Sequence, residues 1–591
     1  MNTRPPCSSD VDPFLLEILH RSFDAIADDM ALILMRSSYS GIVRDVMDFS
    51  TAICDAHGQT LAQGVTIPMH LGSFRDAMRC VIDQYEGRIE PGDVFISNDP
   101  YTAAGVHLPD IYIIKPIFDD DVLVSWGTTI AHHSDVGGIV AGSNSLGAAE
   151  IYQEGLRIPV IKFMQRGEPN QAVWDLIATN VRTPDQVLGD LQAQMAAATT
   201  AEREMKQLVG RYGRDTVTMY GDHLHNYAER LARAQINDVP DGCYRFTNYI
   251  DGLGENPQRI TFSVAVTIEA EHVTIDWTGS SPQAEGGINS PMPFTRSCAY
   301  TAIRSILDQD VPNCHGYTRA ITVRAPQGSI ANPDLPGACG ARGISGYRMV
   351  DCLFGALAKA VPDRVCADGS GGTMLPTISG WRDGRSIVFC ECVMGCSGAS
   401  SRHDGQEGMS HMGANVANVP VEMIEASQPL RIEKYALVPD TGGAGEFRGG
   451  LSVVRDYRLL AEKAALNVRS DKRRHRPFGL FGGGEGAASW NILNPGTEDR
   501  ELPVLLMHPI ELKQGDVFRH ITPGGGGFGD AMQRDPQRVL DDVLEEKITV
   551  AHAAHVYGVV ISDGTAPTID HEATTKRRRS ANHSSKTFAS R

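Results

Sequence analysis

Short apolar runs separated by polar turns dominate residues 93–139. The runs DVFIS, DIYIIKPIF and DVLVSWGTTIA have the length of β-strands, and turn residues bound each of them. Runs this short favour strands over helices, which need more residues to bury a face. Histidines flank the runs, because His107 precedes the second and His132 and His133 follow the third. The pattern therefore predicts a β-rich core with histidines at strand ends.

Helical and strand-like stretches alternate along the rest of the chain. Residues 13–38 carry apolar side chains at helical spacing and begin at Asp12-Pro13, a favourable cap and first turn. DFSTAICDAHGQTLAQG predicts a hairpin that turns at AHGQ. Further helices are predicted in GSFRDAMRCVIDQY, over most of 172–237, in AYTAIRSIL and in GYRMVDCLFGALAKAV. Strands are predicted from about 240 and over 385–530.

The length indicates more than one domain, since 591 residues exceed the size at which a single core stops growing. We predict an α+β, multi-domain protein. A helical and β-rich region with the metal site occupies 12–240, and a strand- and glycine-rich C-terminal part occupies 241–533. Residues 574–591 are polar and basic with one aromatic, which predicts a disordered tail.

Charge and hydropathy exclude several classes of partner. The net charge of -18 argues against nucleic acid, whose phosphates require a stripe of Lys and Arg. The N-terminus lacks the apolar core of a signal peptide. No stretch approaches the roughly eighteen apolar residues that a membrane span needs. We therefore expect a cytoplasmic protein without a membrane segment.

The cysteines favour reduced thiols over a disulfide framework. Twelve are scattered along the chain without a CxxC pair. The tightest group, Cys390, Cys392 and Cys396, could hold zinc. However, SIVFCECVMG indicates a strand that places the first two thiols on one face, which favours a structural role for them.

Two stretches have the composition of a metal site. VHLPDI places His107 and Asp110 three residues apart across a proline, so both can face one point from a single loop. AHHSDVGG places His132 and His133 after a strand, and because side chains alternate, only one of them faces that point. RDVMDFS offers Asp45 or Asp48. Three or four His and carboxylate ligands are what a catalytic divalent ion requires, and such a set suits Zn, Mn or Fe.

Other polar residues are candidates for acid–base chemistry, although each taken singly is more often structural. They stand among apolar or glycine-rich neighbours, and they are His70, Glu150, Glu154, His403 and Asp404. Asp135 can orient an imidazole of the metal site. We predict catalytic roles for Asp135, His133 and Glu154.

Three glycine-rich runs, at 441–450, 481–486 and 522–530, do not have the spacing of phosphate-binding loops. GxxxxGK[ST] is absent from the sequence, and no GxGxxG opens a clear helix. These runs are therefore interpreted as turns that permit close packing, and nucleotide binding by this chain is not predicted.

The ordered set of motifs resembles the hydantoinase B/oxoprolinase family. The motifs are DFSTAICD, SNDPYTAAGVHLPDI, AHHSDVGG, EIYQEGLRIP, GSGGTMLP, EFRGGLSVVRDYRL and TPGGGGFGD, and they span roughly 12–533. The resemblance implies a metal-binding subunit of an ATP-dependent cyclic-amide hydrolase that opens hydantoin, 5-oxoproline or lactam rings. It implies a hetero-oligomer in which ATP is bound by a hydantoinase A-type subunit. By resemblance, the ligands of the divalent ion are Asp48, His107, Asp110 and His132.

Two alternatives stay open from the sequence. The first is the equivalent subunit of an ATP-dependent ketone carboxylase, similar to the acetone carboxylase alpha subunit. The second is a non-catalytic structural subunit whose histidines bind nothing. The sequence names neither the substrate nor the metal.

Overall fold

The computed structural model describes residues 11–588 except 71, 373, 383 and 563–566, and only the backbone of 581–588. Its helices are α1 (Pro13–Ser37), α2 (Gly41–Arg44), α3 (Ser73–Gln84), α4 (Gln171–Asn180), α5 (Pro184–Tyr212), α6 (Arg214–Asn237), α7 (Met292–Ile306), α8 (His315–Thr318), α9 (Gly343–Leu357), α10 (Val421–Ser427), α11 (Pro536–Leu544), α12 (Val550–Val556) and α13 (His571–Phe588).

The strands form five sheets. They are β1 (Phe49–Asp55), β2 (Thr60–Gln63), β3 (Val94–Ser97), β4 (Asp110–Asp119), β5 (Val122–His132), β6 (Ile161–Gln165), β7 (Glu168–Pro169), β8 (Gly242–Ile250), β9 (Ile260–Glu269), β10 (His272–Asp276), β11 (Ile321–Arg324), β12 (Leu375–Arg382), β13 (Arg385–Cys390), β14 (Gly395–Cys396), β15 (Glu407–Met409), β16 (Leu430–Val438), β17 (Ser452–Leu459), β18 (Lys463–Arg469), β19 (Trp490–Leu493), β20 (Arg500–Glu501), β21 (Ile510–Lys513) and β22 (Val517–Ile521).

The α+β, multi-domain class predicted from the sequence is confirmed. Helix α1 begins where Asp12-Pro13 indicates, and the Asp12 side chain accepts the backbone NH of Phe14. The predicted hairpin is the antiparallel pair β1–β2. Within the described part of the chain, no helix is both long and apolar enough to cross a membrane.

An antiparallel seven-stranded sheet carries the candidate site, in the order β2-β1-β5-β4-β3-β6-β7. Both faces of its central strands are buried, which explains their continuous apolar runs. On one face, Trp126 and Ile130 join a core with α7 and α9. On the other, Ala131 and Ile117 join a core with α1 and α5. The sheet therefore lies between two hydrophobic layers.

Three more sheets of four or five strands and a two-stranded pair, β14–β15, complete the C-terminal part. Their orders are β11-β10-β9-β8, β13-β12-β18-β21 and β16-β17-β22-β19-β20. Helix α9 packs on β8 and β9. The predicted boundary at 240 falls between α6 and β8. The largest core takes residues from both sides of it, so the boundary stays a prediction.

The three glycine-rich runs pack against one another, as the sequence predicts. The NH of Gly443 donates to the carbonyl of Gly525, and the NH of Gly527 donates to that of Gly484. A Cβ added at Gly525 would lie 2.1 Å from the carbonyl oxygen of Ser397. Backbone segments this close leave no room for a side chain, which explains the glycine content.

Two predictions differ from the structure. The predicted disordered tail, 574–591, is helical in α13 to Phe588, because Arg578 anchors it by donating to the carbonyls of Tyr557 and Arg534. The strand predicted to carry two cysteines ends at Cys390, and Cys392 follows it. Cys390 instead faces Thr377, with 2.9 Å between Sγ and Oγ1. Cysteine is not in a metal cluster among the described residues, and the described thiols are free.

Gly525→Ala should lower the free energy of unfolding by about 3 kcal/mol or more, because backbone rather than a movable side chain opposes the new methyl group. The matched control is Gly210→Ala, within α5, where a Cβ meets nothing within 4 Å. That control should be neutral or stabilise by up to about 1 kcal/mol. Calorimetric melting of both variants checks this, and equal melting points would contradict the packing argument.

Candidate metal centre

Neighbouring strands bring the candidate ligands together. Asp110, the first residue of β4, is directly opposite His132, the last residue of β5. The NH of His132 donates to the carbonyl of Asp48 at 3.0 Å, so Asp48 faces the same position from the β1 side. Because opposite residues of antiparallel strands project to one face, these three side chains lie on the same side of the sheet.

His107 joins them from the turn before β4. Its Nδ1 lies 2.8 Å from the carbonyl oxygen of Gly340, and since a carbonyl can only accept, Nδ1 carries the proton. The lone pair of His107 therefore resides on Nε2, which lies 3.1 Å from Oδ1 of Asp110. A backbone carbonyl that fixes the tautomer of an imidazole is the usual support of a histidine ligand.

The acceptor atoms of this cluster lack donors. Nε2 of His107, Oδ1 of Asp110 and both ring nitrogens of His132 are buried, and no described residue forms a hydrogen bond with them. One ligand atom from each of these residues lies within 4.8 Å of the others. Two ligands of one ion are about 3–3.6 Å apart when each bond is about 2.1 Å. A divalent cation therefore fits these residues and satisfies lone pairs that otherwise face each other.

Burial and mutual charge set the protonation of the cluster. Burial and the Arg342 guanidinium lower the pKa of His107, which keeps its ring neutral. Burial lowers the pKa of His132 well below its usual range as well. Burial would raise the pKa of Asp110, but His107 and Arg342 hold it well below its ordinary value. Burial and the neighbouring Asp110 raise the pKa of Asp48 to about 7. Neutral imidazoles beside a carboxylate are the forms that bind metal.

The structure separates the pairs of residues that the sequence left open. Asp48 lines the pocket, whereas Asp45 pairs with Arg44 outside it. His132 lines the pocket, whereas His133 projects from the opposite face of the sheet, where its Nε2 lies 3.0 Å from Oε1 of Gln194. The proposed ligand set is thus Asp48, His107, Asp110 and His132.

The predicted catalytic residues lie behind the pocket rather than in it. Asp135 accepts the backbone NH groups of Gly137 and Gly142 and pairs with Arg182 at 2.8 Å. Its carboxylate therefore fixes a loop, not an imidazole. His133 contacts α5, as described above.

Glu154 supports His107 indirectly. Its carboxylate accepts the NH groups of Cys339 and Gly340, and the carbonyl of Gly340 in turn accepts from His107. Burial raises the pKa of Glu154 to about 8, against the effect of these two NH groups.

Of the other acid–base candidates, only His70 reaches the pocket. Its Nε2 lies 3.6 Å from Oδ2 of Asp110. Glu150 caps the short 3-10 helix Ile151–Gln153 at the surface. Asp404 pairs with Arg534, and His403 is exposed.

Several lining residues were not predicted from the sequence. They come from distant segments and are Phe294, Arg342, Tyr347, Cys392 and Arg469. Arg342 stands in GARGISG, where a charged residue amid glycines directly before a helix was an available signal. Arg469 and Cys392 lie at or just after strands of a sheet that local patterns do not connect to HLPD.

Comparison with known proteins gives a consistent result. The family model for hydantoinase B/oxoprolinase matches residues 12–531. A protein of Pseudomonas sp. (strain NS671), named as the B-type subunit of a D-/L-hydantoinase, is 33% identical over 96% of this chain and 98% of its own. The caprolactamase beta subunit of Pseudomonas jessenii is 32% identical over 96% of this chain and 99% of its own.

Two solved structures share the fold. The ATP-dependent caprolactamase from Pseudomonas jessenii superposes with a TM-score of 0.90 at 29% identity, covering 97% of this chain and 100% of that chain. A nucleotide-free acetone carboxylase superposes with a TM-score of 0.91 at 19% identity, covering 98% and 84% of the two chains. The second likeness shows the fold alone.

Purified protein should contain about one divalent metal ion per chain, which is lost in His107→Ala, Asp110→Ala and His132→Ala because each removes a ligand. His133→Ala is the matched control, since it changes the neighbouring ring on the other face. Metal content by mass spectrometry checks this. Loss of metal in His133→Ala but not in His132→Ala would overturn the assignment.

Glu154 should make stability depend on pH. Its folded pKa, about 8, lies above its ordinary value of 4.5, so its stabilisation is complete below pH 4.5 and is lost as the pH rises toward 8. Glu154→Gln removes this titration, so its melting temperature should fall less than that of wild type between those pH values. Glu150→Gln, exposed in the same segment, is the control. Parallel curves for wild type and Glu154→Gln would show that Glu154 is ionised throughout.

Proposed function

Because the chain belongs to the hydantoinase B/oxoprolinase family, we propose that it is the metal-binding subunit of an ATP-dependent cyclic-amide hydrolase. Its substrate is a hydantoin, 5-oxoproline or lactam ring. The single observation that supports a catalytic role most directly is the set of buried acceptor atoms of His107, Asp110 and His132 that face each other without donors. A purely structural subunit would gain nothing from leaving these atoms unpaired.

The residues of this chain perform distinct tasks in the proposed reaction. Asp48, His107, Asp110 and His132 would hold a divalent ion, which would be Zn, Mn or Fe. Such an ion supplies Lewis-acid polarisation of a substrate oxygen and lowers the pKa of a water molecule. The carbonyl of Gly340 fixes the tautomer of His107, so that Nε2 presents its lone pair to the site. The buried surroundings exclude bulk water from the pocket.

ATP is assigned to a hydantoinase A-type subunit, so the active protein is a hetero-oligomer. The sequence has no P-loop, and its glycine-rich runs pack against each other instead of lining a nucleotide site. The full-length relatives are named as a B-type and a beta subunit, which supports the presence of a second subunit. The caprolactamase whose structure superposes on this chain is ATP-dependent.

Hydrolysis is favoured over ketone carboxylation. The relatives above 30% identity are named for enzymes that act on cyclic amides. The acetone carboxylase shares the fold at 19% identity, which carries no argument about the reaction. The two activities differ in bicarbonate, which a carboxylase incorporates and a hydrolase leaves out of its product.

The complex of this chain with its A-type subunit should open one of these rings in the presence of ATP. Asp110→Asn should lower the rate by about a thousandfold or more, since it removes both a ligand and the charge that attracts the ion. His57→Gln, an exposed histidine in the β1–β2 turn, is the control and should be active. Ring opening is followed by chromatography of the amino-acid product.

The same assay separates the alternatives when acetone and labelled bicarbonate replace the cyclic amides. Incorporation of label, with no ring opening of hydantoin, 5-oxoproline or caprolactam, would replace the hydrolase by a carboxylase. Full activity of Asp110→Asn would instead leave the chain as a structural subunit.

A further inference from the structure

Two arginines line the metal pocket in addition to the proposed ligands. Arg342 directly precedes α9, and Arg469 is the last residue of β18. Each side chain is about as buried as a core residue, with 5% of the surface of either residue exposed. Guanidinium groups are almost never buried to this extent without a function for their charge.

The contacts of Arg342 satisfy only part of its guanidinium. One Nη donates to Oδ2 of Asp110. The guanidinium carbon lies 3.9 Å from the centre of the Phe294 ring, which holds the plane of the group in place. Its Nε is buried, and no residue in the described part of the chain accepts its hydrogen.

Arg469 is satisfied even less. Its Nη1 donates to Oδ1 of Asn144 at 2.8 Å, a neutral partner. Its Nε is also buried without an acceptor among the described residues. No ion pair of Arg469 with a described carboxylate lies within 4.0 Å. Thus two guanidinium groups in one pocket retain donors that protein atoms do not use.

The charges that line the pocket do not balance once a metal is bound. The two carboxylates, Asp48 and Asp110, offset the two guanidinium groups, Arg342 and Arg469. A divalent ion then adds two positive charges to a buried site. Uncompensated charge in such surroundings is unfavourable, so the metal-loaded pocket favours a ligand with two negative charges.

We propose that Arg342 and Arg469 form an anion subsite beside the metal, which takes the dianionic phosphoryl group of a phosphorylated amide. This inference rests on the proposed function, because ATP-dependent opening of an amide supplies such a group. Guanidinium forks match tetrahedral oxyanions and bind them through paired NH donors. The cavity between the lining residues is about 30 Å³, so it admits a small head group and excludes ATP itself.

The subsite also distinguishes the activated substrate from the neutral one. A cyclic amide has no charge to compensate the metal and the arginines, whereas its phosphorylated form does. The metal-loaded site therefore selects the species that the ATP-binding subunit has already activated. Arg342 and Arg469 act on binding and orientation, and they transfer no proton.

Inorganic phosphate is the probe for this subsite. Titrated into the full-length chain loaded with Mn²⁺, phosphate should bind saturably, and its ³¹P resonance should broaden because it lies next to the paramagnetic ion. Arg469→Met should weaken binding by about tenfold or more, as expected for loss of one charge-assisted hydrogen bond. Arg469→Lys, which keeps the charge, should bind between the two. Metal content and circular dichroism establish that the variants are loaded and folded.

The control variant is Arg75→Met. Arg75 lines a separate, more open cavity with Arg79 and Arg296, which is the other basic cavity that could attract phosphate. Arg75→Met should bind phosphate as wild type does. Weaker binding in Arg75→Met but not in Arg469→Met would overturn the proposal.

Acetate tests the charge of the ligand. A monoanionic carboxylate should compete at least about tenfold less well than phosphate if the subsite is matched to two charges. Equal competition would overturn the assignment to a phosphoryl group. Binding is measured without ATP, partner or cyclic amide, so the outcome is independent of the ring-opening assay. Unchanged phosphate binding in both Arg469 variants would reject the subsite while the proposed hydrolase activity stands.

Discussion

The register between β4 and β5 is the constraint on which the candidate site depends. Asp110 and His132 are opposite residues at the ends of these strands, and Asp48 faces His132 from the neighbouring strand. A slip of one residue would move each ligand to the other face of the sheet. Such a slip is opposed by two separate hydrophobic cores, since Ile130 and Ala131 are buried on opposite faces. Core packing thereby holds the ligand atoms in place without a dedicated scaffold.

The pocket is closed by residues that follow the predicted boundary at 240. Arg342 and Tyr347 come from the start of α9, and Arg469 comes from the end of β18. The ligands come from the seven-stranded sheet, whereas the positive charge of the pocket comes from the C-terminal part. A fragment that ends near residue 240 would contain the four ligands and lack both arginines. The metal region is therefore not a self-sufficient site, although its motifs are contiguous in sequence.

Local patterns indicated what local geometry determines. The HxxD spacing across Pro109 and the alternation along β5 were sufficient to predict that His107, Asp110 and one of two histidines share a site. They could not decide between His132 and His133, because that choice depends on which face of the sheet each core covers. Asp135 and Glu154 also had the expected residue type and neighbourhood. Their carboxylates accept backbone NH groups, and long-range loop packing, which a sequence pattern does not show, determines this.

The dimensions of the site agree with a reaction divided between two subunits. A buried pocket of about 30 Å³ strengthens every charge interaction inside it, which benefits hydrolysis, but it cannot accommodate a nucleotide. A site that bound ATP would need an open cleft for the base and the triphosphate, and the same opening would admit water to the activated amide. Placing activation in one subunit and hydrolysis in this small pocket avoids that conflict. The buried guanidinium groups then have a physical purpose, because they offset the desolvation of an anion that bulk water would otherwise stabilise.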